Sequence, residues 1–214
     1  MVESNIIHAM HEVKPSRRER AAATRRAIIE AATAEFTEGG YHATKVESIA
    51  RRAGVATQTV YFVFHTKAAL LTAAIDAAVL GAGTPPQMTG WWADASSAAE
   101  GARSIELFIG GTAEIFTRAA LLNQVAGAAA VSDPEVAQVL AHHELLREQG
   151  YREFADTLGQ RGLLQAAVSV KQATDVLLTL AGPSVYLELT RSRGWTSERY
   201  KEWVCMIIGQ LLLR

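Results

Sequence analysis

The run from residue 57 to 67 reads Thr-Gln-Thr-Val-Tyr-Phe-Val-Phe-His-Thr-Lys, and its polar members carry the chemistry of a surface that reads a nucleic acid. Gln58 can meet the edge of an adenine through paired hydrogen bonds, Thr57 or Thr59 can touch a thymine methyl, and Tyr61 can bond a phosphate oxygen. Lys67 falls where a helix starts, and the free amides of such an end already favour an anion.

Nothing comparable points to catalysis. Gly182-Pro183-Ser184-Val185-Tyr186 has the first Gly and the Ser of a nucleophile elbow, but it ends on Tyr, follows no strand and lies inside a helical pattern. No Gly-rich phosphate loop accompanies it. His142 and His143 are adjacent, so on a helix their side chains diverge by about 100°, and no Cys or acid completes a metal-binding spacing. A solvated face is expected there, with no metal and no cofactor. Cys205, the only cysteine, sits among Val204, Met206 and Ile207 and reads as core packing. An enzyme is the least expected class.

Elements must hold the reading residues in place, and their signals are local. From Arg17 a helix of about 20 residues carries Ile28, Ile29, Ala32 and Phe36 at helical spacing and stops at Gly39-Gly40. Thr44-Lys45-Val46-Glu47 has the form of a capping box for a short helix to about Ala53 that buries Val46, Ile49 and Ala50. Gly54 turns the chain at little steric cost. A second short helix spans 57–64, held by Val60 and Phe64, and a third starts at Thr66 or Lys67 and runs to about Leu80. Two helices of about eight residues across Ala53-Gly54-Val55-Ala56 form a helix-turn-helix, whose second helix enters a major groove.

Charge is distributed to match. The whole chain of 214 residues carries −1, yet residues 14–67 hold ten Lys and Arg against five Glu, net +5. A basic head on an acidic body predicts a polyanion at one end only.

Residues 21–75 resemble the DNA-binding domain of the TetR family of bacterial repressors. The resemblance rests on Glu-Gly-Gly-Tyr at 38–41, Ala43-Thr44, Ile49-Ala50, Ala53-Gly54-Val55, Thr59-Val60-Tyr61, Phe64, Lys67 and Leu70-Leu71. A softer likeness runs through the tail, in Leu180 to Tyr186, Gly194-Trp195 and Ser197-Glu198-Arg199-Tyr200. It implies DNA contacts from Thr44 and Lys45, from Thr57, Gln58, Thr59 and Tyr61, and from Lys67 and His65 on phosphate. Two positions depart from the family pattern. Ala56 stands where a capping Ser is common, and Val63 stands where His or Tyr is frequent, which removes one phosphate contact.

The expected fold is all-α: a mobile arm at 1–16, a three-helix DNA-binding head at 17–67, and an effector-binding and dimerising body at 68–214. Gly and Pro between 81 and Trp92 mark a loop. Helices are expected beyond it at about 94–118, 120–130, 134–160, 169–193 and 197–213, with Pro183 kinking the fourth. The last is apolar on more than one face. The resemblance pairs the final two helices with their copies in a homodimer, through Val176, Leu180, Leu187, Trp203, Val204, Ile207, Ile208 and Leu211. It also implies a cavity for a small-molecule effector, for which Trp91, Trp92, Phe108, Phe116, Asn123, Gln124 and Tyr186 are the candidate lining.

The function expected is that of a repressor released from a palindromic double-stranded DNA operator by a small apolar ligand. The alternative is a helical protein-interaction module that never touches DNA. Neither the apolar run at 119–131 nor that at 203–213 reaches the roughly 20 residues a bilayer requires, and no signal peptide is evident at residues 1–13, so a cytoplasmic protein without membrane contact is expected.

Overall fold

A computed structural model describes residues 16–81 and 90–214, and every regular element among them is helical. The arm expected at 1–16 therefore lies almost wholly outside the described residues, as does most of the 81–92 loop.

Helix α1 (Arg17–Ala43) starts at Ser16, whose hydroxyl accepts from the Glu19 amide while the Glu19 carboxylate accepts from the Ser16 amide. Its expected stop is a break inside a longer helix: Gly40 takes φ 75°, a conformation that a side chain disfavours. Helices α2 (Val46–Ala53) and α3 (Thr57–Phe64) follow, with Gly54 between them at φ 68°. Helix α4 (Lys67–Leu80) leaves α3 at a bend of 74°, through His65 at φ 62°.

The head does not close on itself. Ile28, Phe36, Ile49, Val60 and Phe64 share one core with Leu70, Leu71 and Ile75 of α4, and that core continues onto Leu122, Ala126 and Ala129. Those three belong to α6 (Gly101–Ala130), a single 30-residue helix where two were expected, preceded by the short α5 (Gly90–Ser97). Trp91 and Trp92 are thus helical, and the chain breaks between Ser97 and Gly101 instead of running on from 94.

Helix α7 (Pro134–Gln160) opens on Asp133, whose carboxylate accepts from the amides of Glu135 and Val136, with Pro134 in the first turn. The stretch expected as one kinked helix over 169–193 is broken into α8 (Val170–Leu180), α9 (Pro183–Leu187) and a π turn (Glu188–Ser192). Pro183 supplies no amide, and at Gly182 an added Cβ would stand 2.8 Å from the Leu178 carbonyl. Two carbonyls at the break are met from α7 instead: Arg147 Nη1 donates to Leu178 O at 3.3 Å and the Tyr151 hydroxyl donates to Ala181 O at 2.6 Å.

Helix α10 (Ser197–Leu212) closes the body. Tyr200, Val204, Ile208 and Leu212 recur every four residues and are buried against Phe154, Leu158 and Leu177 in the second core.

Candidate functional site

Helix α3 presents the residues expected to read DNA on the side away from Val60 and Phe64. Gln58 and Tyr61 are exposed, Thr57 and Thr59 partly so, and Phe62 is 83% exposed. Ala56 caps the helix with no side-chain bond; the Thr59 amide donates to Ala56 O at 2.9 Å, which leaves those of Thr57 and Gln58 for solvent or a phosphate. Lys45 and His65 are exposed at the flanks.

Two of the expected contacts face inward. The structure gives Thr44 no capping box: Lys45 is the N-cap of α2, and the Thr44 hydroxyl is buried, 2.9 Å from Glu35 O and 2.7 Å from Gly40 O. Those carbonyls, beside the break at Gly40, take the hydroxyl in place of the local amide. Lys67 is half-buried, and its ammonium donates to Tyr41 O at 2.9 Å and Thr44 O at 3.2 Å while lying 4.3 Å from the centre of the Tyr41 ring. Burial holds its pKa below the ordinary lysine value. Lys67 fastens the α1–α2 junction from inside, which leaves it little reach toward a phosphate.

Contacts that the sequence did not announce join head to body. The Tyr41 hydroxyl donates to Asp133 Oδ2 at 2.9 Å, Thr66 Oγ1 donates to Glu135 Oε1 at 2.7 Å, and Ser132 Oγ lies 3.2 Å from His42 Nε2. The Tyr41 hydroxyl, with the two amides of the α7 start, holds the Asp133 carboxyl below the usual carboxylate range.

Behind α4 lies a cavity of about 550 Å³, walled by α4, α5, α6 and α7 with Pro183 at one side. Trp91, Trp92, Phe108, Phe116 and Asn123 line it. Trp91 lies so close to α6 that a Cβ on Gly111 would stand 2.1 Å from its indole, so glycine is what admits the ring.

Two residues expected in the lining are elsewhere. Tyr186 is buried behind Phe116, with ring centres 5.7 Å apart, and packs edge-on to Tyr200. Gln124 lines a neighbouring cleft of about 540 Å³ with Asn123, Glu144 and Pro183, because one residue along α6 turns its side chain by about 100°.

His143, expected on a solvated face, lines the cavity with only 11% of its side chain exposed. Burial lowers its pKa despite Asp76 nearby. Helical phase could have found it, since His143, Arg147 and Gly150 share one side of α7 with the buried Tyr151 and Phe154. Among the described residues no three His, Cys, Asp or Glu side chains converge as a metal site would need. Cys205 is half-buried and its thiol is pushed up to about 11 by burial, which keeps it protonated and unreactive.

Of the expected dimer residues, Val204 and Ile208 are fully buried within the chain and have no surface left to offer. Trp203 and Ile207 are partly exposed on α10, with Leu211 48% and Met206 51% exposed, while Val176, Leu180 and Leu187 are partly exposed on α8 and α9.

Residues 28–74, from the buried stripe of α1 to the middle of α4, match the sequence model of bacterial regulatory proteins of the tetR family. That match covers 47 of the 214 residues and likens the head, from α1 to α4, to this family. Regulators of that family bind DNA and small-molecule effectors, generally as dimers.

The fold is shared over nearly the whole chain. A crystal structure assigned to the family from Mesorhizobium loti MAFF303099 is 22% identical, with 91% of this chain and 99% of that one covered and a TM-score of 0.71. NalD of Pseudomonas aeruginosa, the secondary repressor of the MexAB-OprM multidrug efflux pump, is 22% identical over 91% and 98%, with a TM-score of 0.68. FadR of Bacillus subtilis in complex with stearoyl-CoA is 19% identical over 86% and 96%, with a TM-score of 0.66. At these identities the likeness is one of fold. No curated protein matches the chain in sequence. Among the described residues no single helix is long and apolar enough to cross a membrane.

Proposed function

We propose that this chain is a dimeric repressor of the TetR family, released from a palindromic operator by a small, largely apolar ligand that occupies the cavity behind α4. The carrying observation is the placement of α4: its first residues anchor the head through Lys67 and Thr66, and Ile75, Asp76, Val79 and Leu80 at its far end line the cavity. NalD, a repressor with this fold, and FadR, crystallised with an acyl-CoA, support the reading by analogy.

Base reading is assigned to Gln58 with Thr57 and Thr59, and phosphate contact to Tyr61, Lys45, His65 and the uncapped start of α3. Thr44 and Lys67 position this surface from within. Two such heads on a two-fold axis give a single short helix its specificity. The dimer surface is assigned to Trp203, Met206, Ile207 and Leu211 with Val176, Leu180 and Leu187, leaving Val204 and Ile208 to the monomer core.

Selection of binding sites from random DNA, followed by mobility shifts over a salt series, tests the reading. Operator affinity is expected to fall steeply from low to moderate salt, Tyr61→Ala to weaken all sequences alike, and Gln58→Ala to change the selected site. Binding indifferent to salt, or an unchanged site for Gln58→Ala, would count against it. Ile207→Asp is expected to halve the mass in solution without unfolding the chain; a wild-type monomer at micromolar concentration would remove the dimer.

A further inference from the structure

The cavity has one corner whose polar groups are not spent. His143 and Arg147 stand one turn apart on α7 and both line it. Among the described residues, His143 Nε2 and Arg147 Nε are shielded from solvent and have no hydrogen-bond partner. Asp76 Oδ1 stands 3.5 Å from His143 Nε2, beyond good hydrogen-bond length, on a half-exposed side chain. Buried polar atoms in native proteins are nearly always bonded, so two that are not, on adjacent turns and in one cavity, mark where a partner belongs.

Other polar groups of the lining are engaged. Thr112 donates to Phe108 O at 2.8 Å, Asn123 donates to Ala119 O at 3.0 Å, and the Tyr151 hydroxyl is taken by Ala181 O. Arg147 gives its two terminal nitrogens to Glu144 and to Leu178 O. An N–H left at this corner needs an acceptor.

Charge selects the kind of acceptor. The lining holds Asp76, Glu144 and Glu153 against Arg147 alone, whose charge Glu144 already meets, and burial keeps His143 neutral. A carboxylate brought here would meet excess negative charge, whereas an uncharged carbonyl oxygen takes the donors without that repulsion. Trp91, Trp92 and Phe116 supply flat apolar walls beside the corner.

We propose that the effector is an uncharged ring compound bearing a carbonyl group, its oxygen accepting from His143 and Arg147 and its rings against Trp91, Trp92 and Phe116. The proposal rests on the cavity being the effector site. It also ties ligand to scaffold, because the guanidinium that would hold the carbonyl is the one that braces the Leu178 carbonyl at the α8 break.

Equilibrium dialysis of the full chain against three probes tests it: 2-acetylnaphthalene, its hydrocarbon isostere 2-isopropenylnaphthalene, and 2-naphthoate. The ketone is expected to bind about tenfold tighter than the isostere, the worth of one net hydrogen bond, and tighter than the carboxylate. His143→Leu is expected to erase most of the ketone's advantage, and His143→Gln, which restores an N–H, to recover it. Arg147→Met serves as the second variant should His143→Leu fold poorly. An isostere that binds as well as the ketone overturns the carbonyl assignment and leaves the cavity reading standing, and naphthoate as the tightest probe overturns the uncharged head group. If none of the three binds, the cavity reading falls and this proposal with it.

Discussion

Lys67 in the head and Arg147 in the body are both partly buried cations near a helix junction, and the molecule treats them differently. Lys67 gives its ammonium to two backbone carbonyls and an aromatic face, all within the head. Arg147 braces one carbonyl and meets Glu144, yet keeps a shielded Nε without a partner, one turn from a His143 Nε2 in the same condition. The head spends its inward polar groups on holding its own shape, as the proposed DNA-reading surface would require. The body leaves some unspent, as the proposed effector site would require.

The contrast should be plainest in stability. Lys67→Met deprives two carbonyls of their donor and is expected to cost about 2–4 kcal/mol in urea unfolding. Arg147→Met loses the bond to Leu178 O and a half-exposed pair with Glu144 that is worth little, but it also removes a shielded donor that has no acceptor, so a cost below about 1 kcal/mol is expected. Equal losses would erase the difference. A smaller effect tests how firmly the regions are joined: in a double-mutant cycle, Tyr41→Phe and Asp133→Asn are expected to couple by about 1 kcal/mol. Zero coupling would leave α4 and core packing as the link.

The smallest effect is in pH. Burial keeps His143 neutral in the folded chain below the ordinary histidine value of 6.5, while the unfolded chain takes up the proton there. The unfolded state then binds more protons, so stability falls as pH drops from about 7 to 5, and His143→Gln should lose less over that window. Identical slopes in thermal melts across those pH values would show that the imidazole is not shielded. Asp76, which pulls the other way, keeps the expected difference small.

What could be read in advance was what is local. The turn at Gly54, the start at Asp133-Pro134 and the stripe of α1 each follow from a few neighbouring residues, and the structure has them. Misreadings came where a distant partner outbid a near one. Thr44 has a capping-box sequence, but the Glu35 and Gly40 carbonyls take its hydroxyl; Lys67 has the charge for a phosphate, but the Tyr41 and Thr44 carbonyls take its hydrogen bonds. In α10 the pattern made two faces apolar without saying which was inside, so Val204 and Ile208 were grouped with Ile207 and Leu211. His143 stands beside His142 in sequence, but its helical phase with Arg147 and Gly150 is the informative relation.

Asp133 accepts from Tyr41, and Thr66 donates to Glu135, at the same start of α7, while α4 joins head to body by the chain itself. A head carried on one rod would swivel. Fastened at a second place, it becomes the corner of a triangulated frame, in which no angle changes unless a side changes length. On the proposed mechanism, a ligand that widens the space between α4 and α7 would alter such a side, and α3 would turn with its corner as one piece instead of sagging on a hinge.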